Sequence, residues 1–328
     1  MKKHTIAFVL LTAITLICAQ TLFAEDADEE TPFSLSLKTE AAYYPETKRV
    51  TGGTHFAPVT GIYSGVEGRT TLLASYKINT PLGENWLVSG ANVLITGGIE
   101  LTPVSLRPTA TVEFTPVPFL IFKAGASVGW GWNLGPFEGL CEYNRYTGSY
   151  EKLSTFAHPY YDFWGSATFQ FDTGAVIPGE WTHVVVLATY TTTYSGIAGL
   201  SEDSLFEWQC SKNKVRGLHY NFQGILGYQM PLPLSLAGVL VEVKGYYNGK
   251  AYGALDATYD GAFATVSLGP VMQFKLGEKD ELLCLIEFSS RRSFNAQYEK
   301  DEEALYLTKT GREWFFNRLA LSWTHKFM

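Results

Sequence analysis

The sequence predicts an exported all-β protein: a closed antiparallel transmembrane barrel of about twelve strands. Three observations predict it: segments in which apolar and polar residues alternate, connections that are short and long in turn, and aromatic residues gathered near segment ends. Composition sharpens the first. The chain is 46% apolar and 15% aromatic but only 17% charged. No stretch after the first 24 residues approaches the roughly eighteen uninterrupted apolar residues of a membrane helix. A chain this apolar that cannot cross as a helix must sort its side chains by face.

The amino terminus has the pattern of a cleaved secretory signal over residues 1–24. Lys2 and Lys3 precede the apolar run Ile6 to Cys18, and Ala24 precedes Glu25 and Asp26. Ile17 is not the small residue a lipoprotein needs before Cys18. Residues 25–32 then form an acidic segment expected in the periplasm, and 33–328 form the barrel. The formal charge of −7 argues against nucleic acid as a partner.

A membrane strand needs roughly nine to eleven residues, with apolar side chains on the lipid side. Residues 160–172 show this most clearly: Tyr161, Phe163, Ala167, Phe169 and Phe171 share one face, and Asp162, Ser166, Thr168, Gln170 and Asp172 the other. Successive strand side chains point to opposite faces, whereas a helix would scatter these charges around its axis. Comparable segments are 33–44, 67–80, 85–97, 104–114, 119–132, 181–194, 218–230, 234–247, 262–275, 281–292 and 312–327. An even count returns both chain ends to one side of the membrane, here the periplasm.

The connections agree. After the even segments lie turn-like runs such as Pro81-Leu82-Gly83-Glu84, Thr115-Pro116-Val117-Pro118 and Gly277-Glu278-Lys279-Asp280. Proline presets φ and glycine accepts strained φ, so these suit tight reversals. After the odd segments come longer loops near 45–66, 133–159, 195–216, 248–261 and 293–311, with 97–99 the short exception. Trp86, Trp130, Trp132, Tyr160, Trp181, Tyr190, Tyr194, Tyr246, Tyr247, Trp314, Trp323 and Phe327 fall near segment ends, where a membrane–water boundary favours amphipathic rings. The competing reading makes them core aromatics of a β-sandwich.

With its signal segment, alternating strands and last strand Asn317 to Met328, the chain resembles the bacterial outer-membrane β-barrel superfamily. Phe327 stands one residue short of the end, where members commonly place their final aromatic. The resemblance is architectural and names no subfamily. It implies outer-membrane lipid as a partner and recognition of the last strand by the barrel-assembly machinery.

Assigning the apolar parity to lipid leaves inward candidates, because Arg or Lys facing hydrocarbon near the midplane costs roughly 2–4 kcal/mol. The cationic ones are Lys38, Arg69, Lys77, Arg107, Lys123, Lys244, Lys275, Arg291 and Arg318. The anionic ones are Glu40, Glu113, Asp162, Asp172, Glu242 and Glu287. Either these pair and plug the lumen, or they line a mildly cationic channel for small, anionic solutes. Twelve strands fall between barrels filled by side chains and porins that enclose a channel.

Cys141 and Cys210 both fall in expected outer loops, and exported proteins keep disulfides, so a bridge between them is expected. Cys284 shares the lipid-facing parity. His219 has Asn221 on its own face, but no nucleophile motif surrounds any histidine, and no catalytic residue is assigned. No zinc or calcium spacing appears, and no cofactor is expected. The favoured function is passive diffusion of small solutes. The alternative is an adhesin or ligand-binding barrel acting through loop tyrosines such as Tyr143, Tyr146 and Tyr150; a lipid-modifying enzyme ranks third.

Overall fold

In the computed structural model, residues 31–253 and 257–328 are described. The expected signal segment, and most of the acidic segment after it, lie outside these residues. Twelve long strands close into one antiparallel barrel. They are β1 (Phe33–Thr47), β2 (Val59–Asn79), β3 (Asn92–Thr102), β4 (Ser105–Val117), β5 (Leu120–Gly131) and β6 (Tyr160–Asp172). The second half comprises β7 (Val184–Ile197), β8 (Gly217–Gln229), β9 (Leu234–Tyr246), β10 (Thr265–Lys275), β11 (Asp280–Phe294) and β12 (Lys309–Lys326). Each pairs with its sequence neighbour, and β1 closes on β12 from Ser36 opposite Lys326 to Tyr43 opposite Leu319. Closure leaves no barrel edge with unpaired backbone groups in hydrocarbon.

Several expected boundaries move: the connection expected at 97–99 lies inside β3, and the turn to β4 falls at 103–104. The third strand begins at Asn92 rather than near residue 85, because residues 80–91 fold into a turn of their own. There Asn85 accepts the Leu87 amide through its side chain, and its carbonyl accepts the amides of Val88 and Ser89. The expected loop at 45–66 is mostly strand: β1 runs on to Thr47 and β2 begins at Val59. Between them, His55 and Phe56 pair in parallel with Glu313 and Trp314 of β12. Tight reversals at 118–119, 230–233 and 276–279 lie at the end that carries both termini, where the Leu35 amide donates to the Met328 carbonyl. The long connections 132–159, 198–216, 247–264 and 295–308 gather at the opposite end.

The outside of the barrel is apolar. Ile95, Ile99, Val112, Phe163, Val239 and Leu321 are exposed, as is Leu226 at 60%. Trp86, Trp181, Trp323 and Phe327 stand exposed near the end with the termini, and Tyr190, Tyr194 and Tyr247 are exposed toward the other. Tyr160 departs from the expected girdle: it is buried and stacks on Trp208.

The inside is less polar than alternation implies. Leu240, Val271, Leu285 and Ala320 share a face with Glu242, Gln273, Glu287 and Arg318, and they pack together with Ala42 and Tyr44. Ile225, Leu236 and Leu283 extend this cluster. Side chains therefore fill part of the lumen beside β8–β12 and β1, as a barrel this narrow permits.

Gly269 marks the tightest approach between strands. A Cβ there would stand 1.7 Å from the Ile286 carbonyl oxygen, a backbone atom that cannot swing aside. Gly269→Ala is expected to separate β10 from β11 and cost about 1–3 kcal/mol. Urea titration of the protein folded in vesicles measures this, and an unchanged midpoint contradicts the packing.

Candidate functional site

The charged residues of the wall form chains of ion pairs. On β1–β6, Lys38 Nζ lies 3.1 Å from Glu40, whose other oxygen accepts from Arg69 Nε. Arg69 also lies 3.6 Å from Glu100, and Arg107 joins Glu100 at 2.9 Å to Asp162 at 3.3 Å. Ser127 donates its hydroxyl to the second Asp162 oxygen. Glu40, Arg69, Glu100 and Asp162 are buried. Glu113 pairs with Lys123 at 2.7 Å across β4 and β5.

The remaining candidates are partnered elsewhere. Glu242 pairs with Lys244 at 3.1 Å and accepts the side-chain amides of Asn221 and Gln223. Glu287 receives Arg318 at 2.7 and 2.9 Å and Asn317 at 2.6 Å. Arg291 pairs with Glu313, which also meets His55 at 2.8 Å. Asp172 meets His183 at 2.8 Å and caps the short turn after β6 by accepting the Gly174 amide. Lys77 and Lys275 are exposed near the end that carries the termini. Glu67, Glu100 and Glu313 belong with this set, although parity reading assigned none of them. Glu100 lies beyond the expected segment 85–97, in the part of β3 that alternation does not reveal, and Glu67 and Glu313 lie at the edges of their expected segments.

A second sheet sits at the end with the long connections. Leu140–Asn144 and Ser149–Lys152 come from 132–159, and Leu205–Trp208 and Ser211–Val215 from 198–216. The two hairpins join through the 205–208 and 140–144 strands, with Phe206 opposite Glu142 and Trp208 opposite Leu140. Its two faces are both buried. Leu140, Phe206 and Trp208 pack on Tyr160 and Ile197 of the barrel wall. Cys141, Tyr143, Leu205 and Val215 pack on Tyr252, Tyr259, Phe294 and Leu305, from β11 and the other long connections.

This cap is fastened by its hairpin tip. Gln209 and Cys210 both have positive φ, 54° and 61°, without being glycine. A two-residue hairpin of this kind demands that geometry at both positions. Gln209 Nε2 donates to Glu100 and Ser105 at 2.9 Å, tying the tip to β3 and β4. The Trp208 indole lies against the Cα positions of Gly129 and Gly131 on β5, where any Cβ would meet the ring. Strained backbone persists where the surroundings over-determine it.

The expected bridge between Cys141 and Cys210 is not formed: both are free, buried thiols. Cys141 donates to Asn133 Oδ1 at 3.6 Å, and Cys210 occupies the strained tip. Burial and the nearby Glu207 push both thiols up to about 12. Two residues of the cap are electrostatically out of place. Burial pushes Glu207 up to about 8, with Glu138 and Glu302 adding to the effect and Lys212 opposing it. Burial lowers Lys214 to about 8, assisted by the charges of Lys244 and Arg107 and opposed by Asp162. Those neighbours lie on β9, β4 and β6, so Lys214 faces across the lumen.

The Glu207 shift has a definite sign. A carboxyl that holds its proton more tightly when folded contributes most below its ordinary pKa of 4.5 and loses that contribution as pH rises through about 8. Cap packing is therefore expected to weaken between pH 5 and pH 8. Proteolysis within 198–216 should accelerate over that range in the wild type and not in Glu207→Gln; equal pH dependence in both contradicts the assignment.

Outside the cap, a cavity of about 530 Å³ is lined by Glu142, Arg145, Tyr146, Glu151 and Asp203, among others. Tyr146 is fully exposed at its rim.

No protein-family profile matches the chain, and no curated protein matches it. Among solved structures, the chain is similar to the KdgM porin, with 7% identity and a TM-score of 0.37 over 90% of this chain and 99% of that one. The outer membrane channel DcaP of Acinetobacter baumannii gives 9% identity and a TM-score of 0.35 over 90% and 96%. An outer membrane channel from Pseudomonas putida F1 gives 11% and 0.36 over 92% and 100%. These values carry over no residue and no function; the barrel closure itself establishes the fold.

Proposed function

We propose that the chain is an outer-membrane barrel with periplasmic termini that passes small polar solutes along its charged wall, under control of the loop sheet at its mouth. The observation that carries this reading is the separateness of that sheet. Among the described residues it makes no backbone ladder with the barrel; apart from its chain connections it is held by side-chain contacts, among them Gln209, Trp208 and the apolar contacts of its two faces. A structural plug would gain rigidity from strand pairing with the wall; a movable cap requires its absence. The paired wall charges solvate a polar solute without a large excess of either sign. Weak charge selectivity therefore replaces the anion preference that basic residues alone imply.

Swelling of proteoliposomes tests this. Uptake of a small neutral sugar above that of protein-free vesicles supports passage, and rates for small anions and cations of equal size should differ little. Impermeability to all of them, with the barrel folded, contradicts it. A second reading, ligand binding at the outer surface, is favoured by the cavity beside Tyr146, whose exposed ring gives contact area at low entropic cost.

A further inference from the structure

Glu138 and Cys141 lie three residues apart and Glu207 lies far from both in sequence, yet one ligand atom from each lies within 4.8 Å of the other two. Cys141 and Glu207 stand opposite one another in the cap sheet, and both are sealed from solvent, at 0% and 1% exposure. Glu138 is half-buried at the edge of the pair. Glu207 Oε2 has no hydrogen-bond partner among the described residues. That sealed oxygen, beside a second acidic side chain and a thiol, leaves a polar group unpaired in the interior, an arrangement that a bound cation would complete.

We propose that Glu138, Cys141 and Glu207 form a divalent-cation site for a borderline-soft ion of the zinc class, with water completing the coordination. The thiolate decides the class: calcium and magnesium take oxygen ligands, whereas zinc accepts sulfur at about 2.3 Å and carboxylate oxygen at about 2.0–2.2 Å. Ligand atoms around such an ion stand roughly 3–4 Å apart, so the group must contract by about an ångström. Rotation of the half-buried Glu138 supplies this. Lys212, 3.6 Å from Glu138, has an alternative partner in Glu302 at 3.3 Å and can release Glu138 to the ion.

Binding does not change the net charge of the site, which keeps the single negative charge of Glu138. The ion brings two positive charges, and the Cys141 thiol and the Glu207 carboxyl each release a proton to solvent as they ligate. Because the thiol must lose its proton in order to ligate, binding is stronger as pH rises. Occupancy would tie the segment before residue 140 to the 205–208 strand and lock the cap, whether or not the barrel conducts.

Cobalt titration of the chelator-washed, detergent-folded protein provides the test. The expected result is one ion per chain, with the intense near-ultraviolet absorption of a thiolate–cobalt bond, displaced by zinc but not by millimolar magnesium or calcium. Cys141→Ser should abolish the absorption, Glu207→Gln should weaken binding, and Cys284→Ser should leave both unchanged. Absence of the absorption from folded wild type overturns the proposal. So does its persistence in Cys141→Ser, or displacement by magnesium as readily as by zinc.

Discussion

Replacing residues 201–216 by a short glycine–serine link is expected to raise single-channel conductance several-fold. The segment supplies two of the four strands of the cap, including Phe206, Trp208 and Val215, which are almost wholly buried against other parts of the molecule. Its loss also frees Glu100 and Ser105 from Gln209 and removes Lys214 from the lumen. What remains along that wall is the Glu40–Arg69–Glu100–Arg107–Asp162 chain, open to water. Planar-bilayer recording measures the change. Lys214→Met should act in the opposite direction, because it replaces a half-buried ammonium that faces Lys244 and Arg107 with an apolar side chain of similar length. Conductance unchanged in both variants would mean that the cap is not the barrier.

Arg318→Met should be among the most destabilising single changes in the barrel. Arg318 is 2% exposed and donates twice to one oxygen of Glu287. Removing one partner of a buried pair strands the other charge, at a cost of about 3–5 kcal/mol. The carboxylate left behind lies beside the apolar cluster of Leu285 and Ala320, where water is scarce. Adding Glu287→Leu should recover most of the loss, since apolar replacements of a whole buried pair are often neutral or better. Urea-driven unfolding from vesicles reads both. Equal stability of Arg318→Met and wild type would mean that Glu287 is hydrated and the lumen wet at that level.

The barrel was legible because each strand repeats the same period-two decision. Residues 160–172 alternate with one apolar face, and β6 spans Tyr160–Asp172. Error entered where local chemistry outweighed period. Residues 85–91 alternate well enough to suggest a strand, but Asn85 turns the chain with its side chain and β3 starts later. Parity also treats every inward residue as polar by default. Val271 and Leu285 face inward yet are apolar, since a narrow lumen is partly filled by its own side chains. The cap could not be anticipated from pattern. Its strands have four or five residues against eleven to twenty-one in the barrel, and its pairing joins residues 140–144 to 205–208 across two intervening barrel strands, β6 and β7. The same distance hides Glu207 from Glu138 and Cys141, which no spacing motif would bring together.

A nitroxide scan along β8 tests the central claim most directly, namely that alternate side chains face acyl chains and the barrel interior. With the label placed singly at residues 218–228 in lipid vesicles, oxygen accessibility should rise at Leu218, Tyr220, Phe222 and Leu226 and fall at His219, Asn221, Gln223 and Ile225. Accessibility that is uniform along the strand, or that repeats every three to four residues, would contradict it.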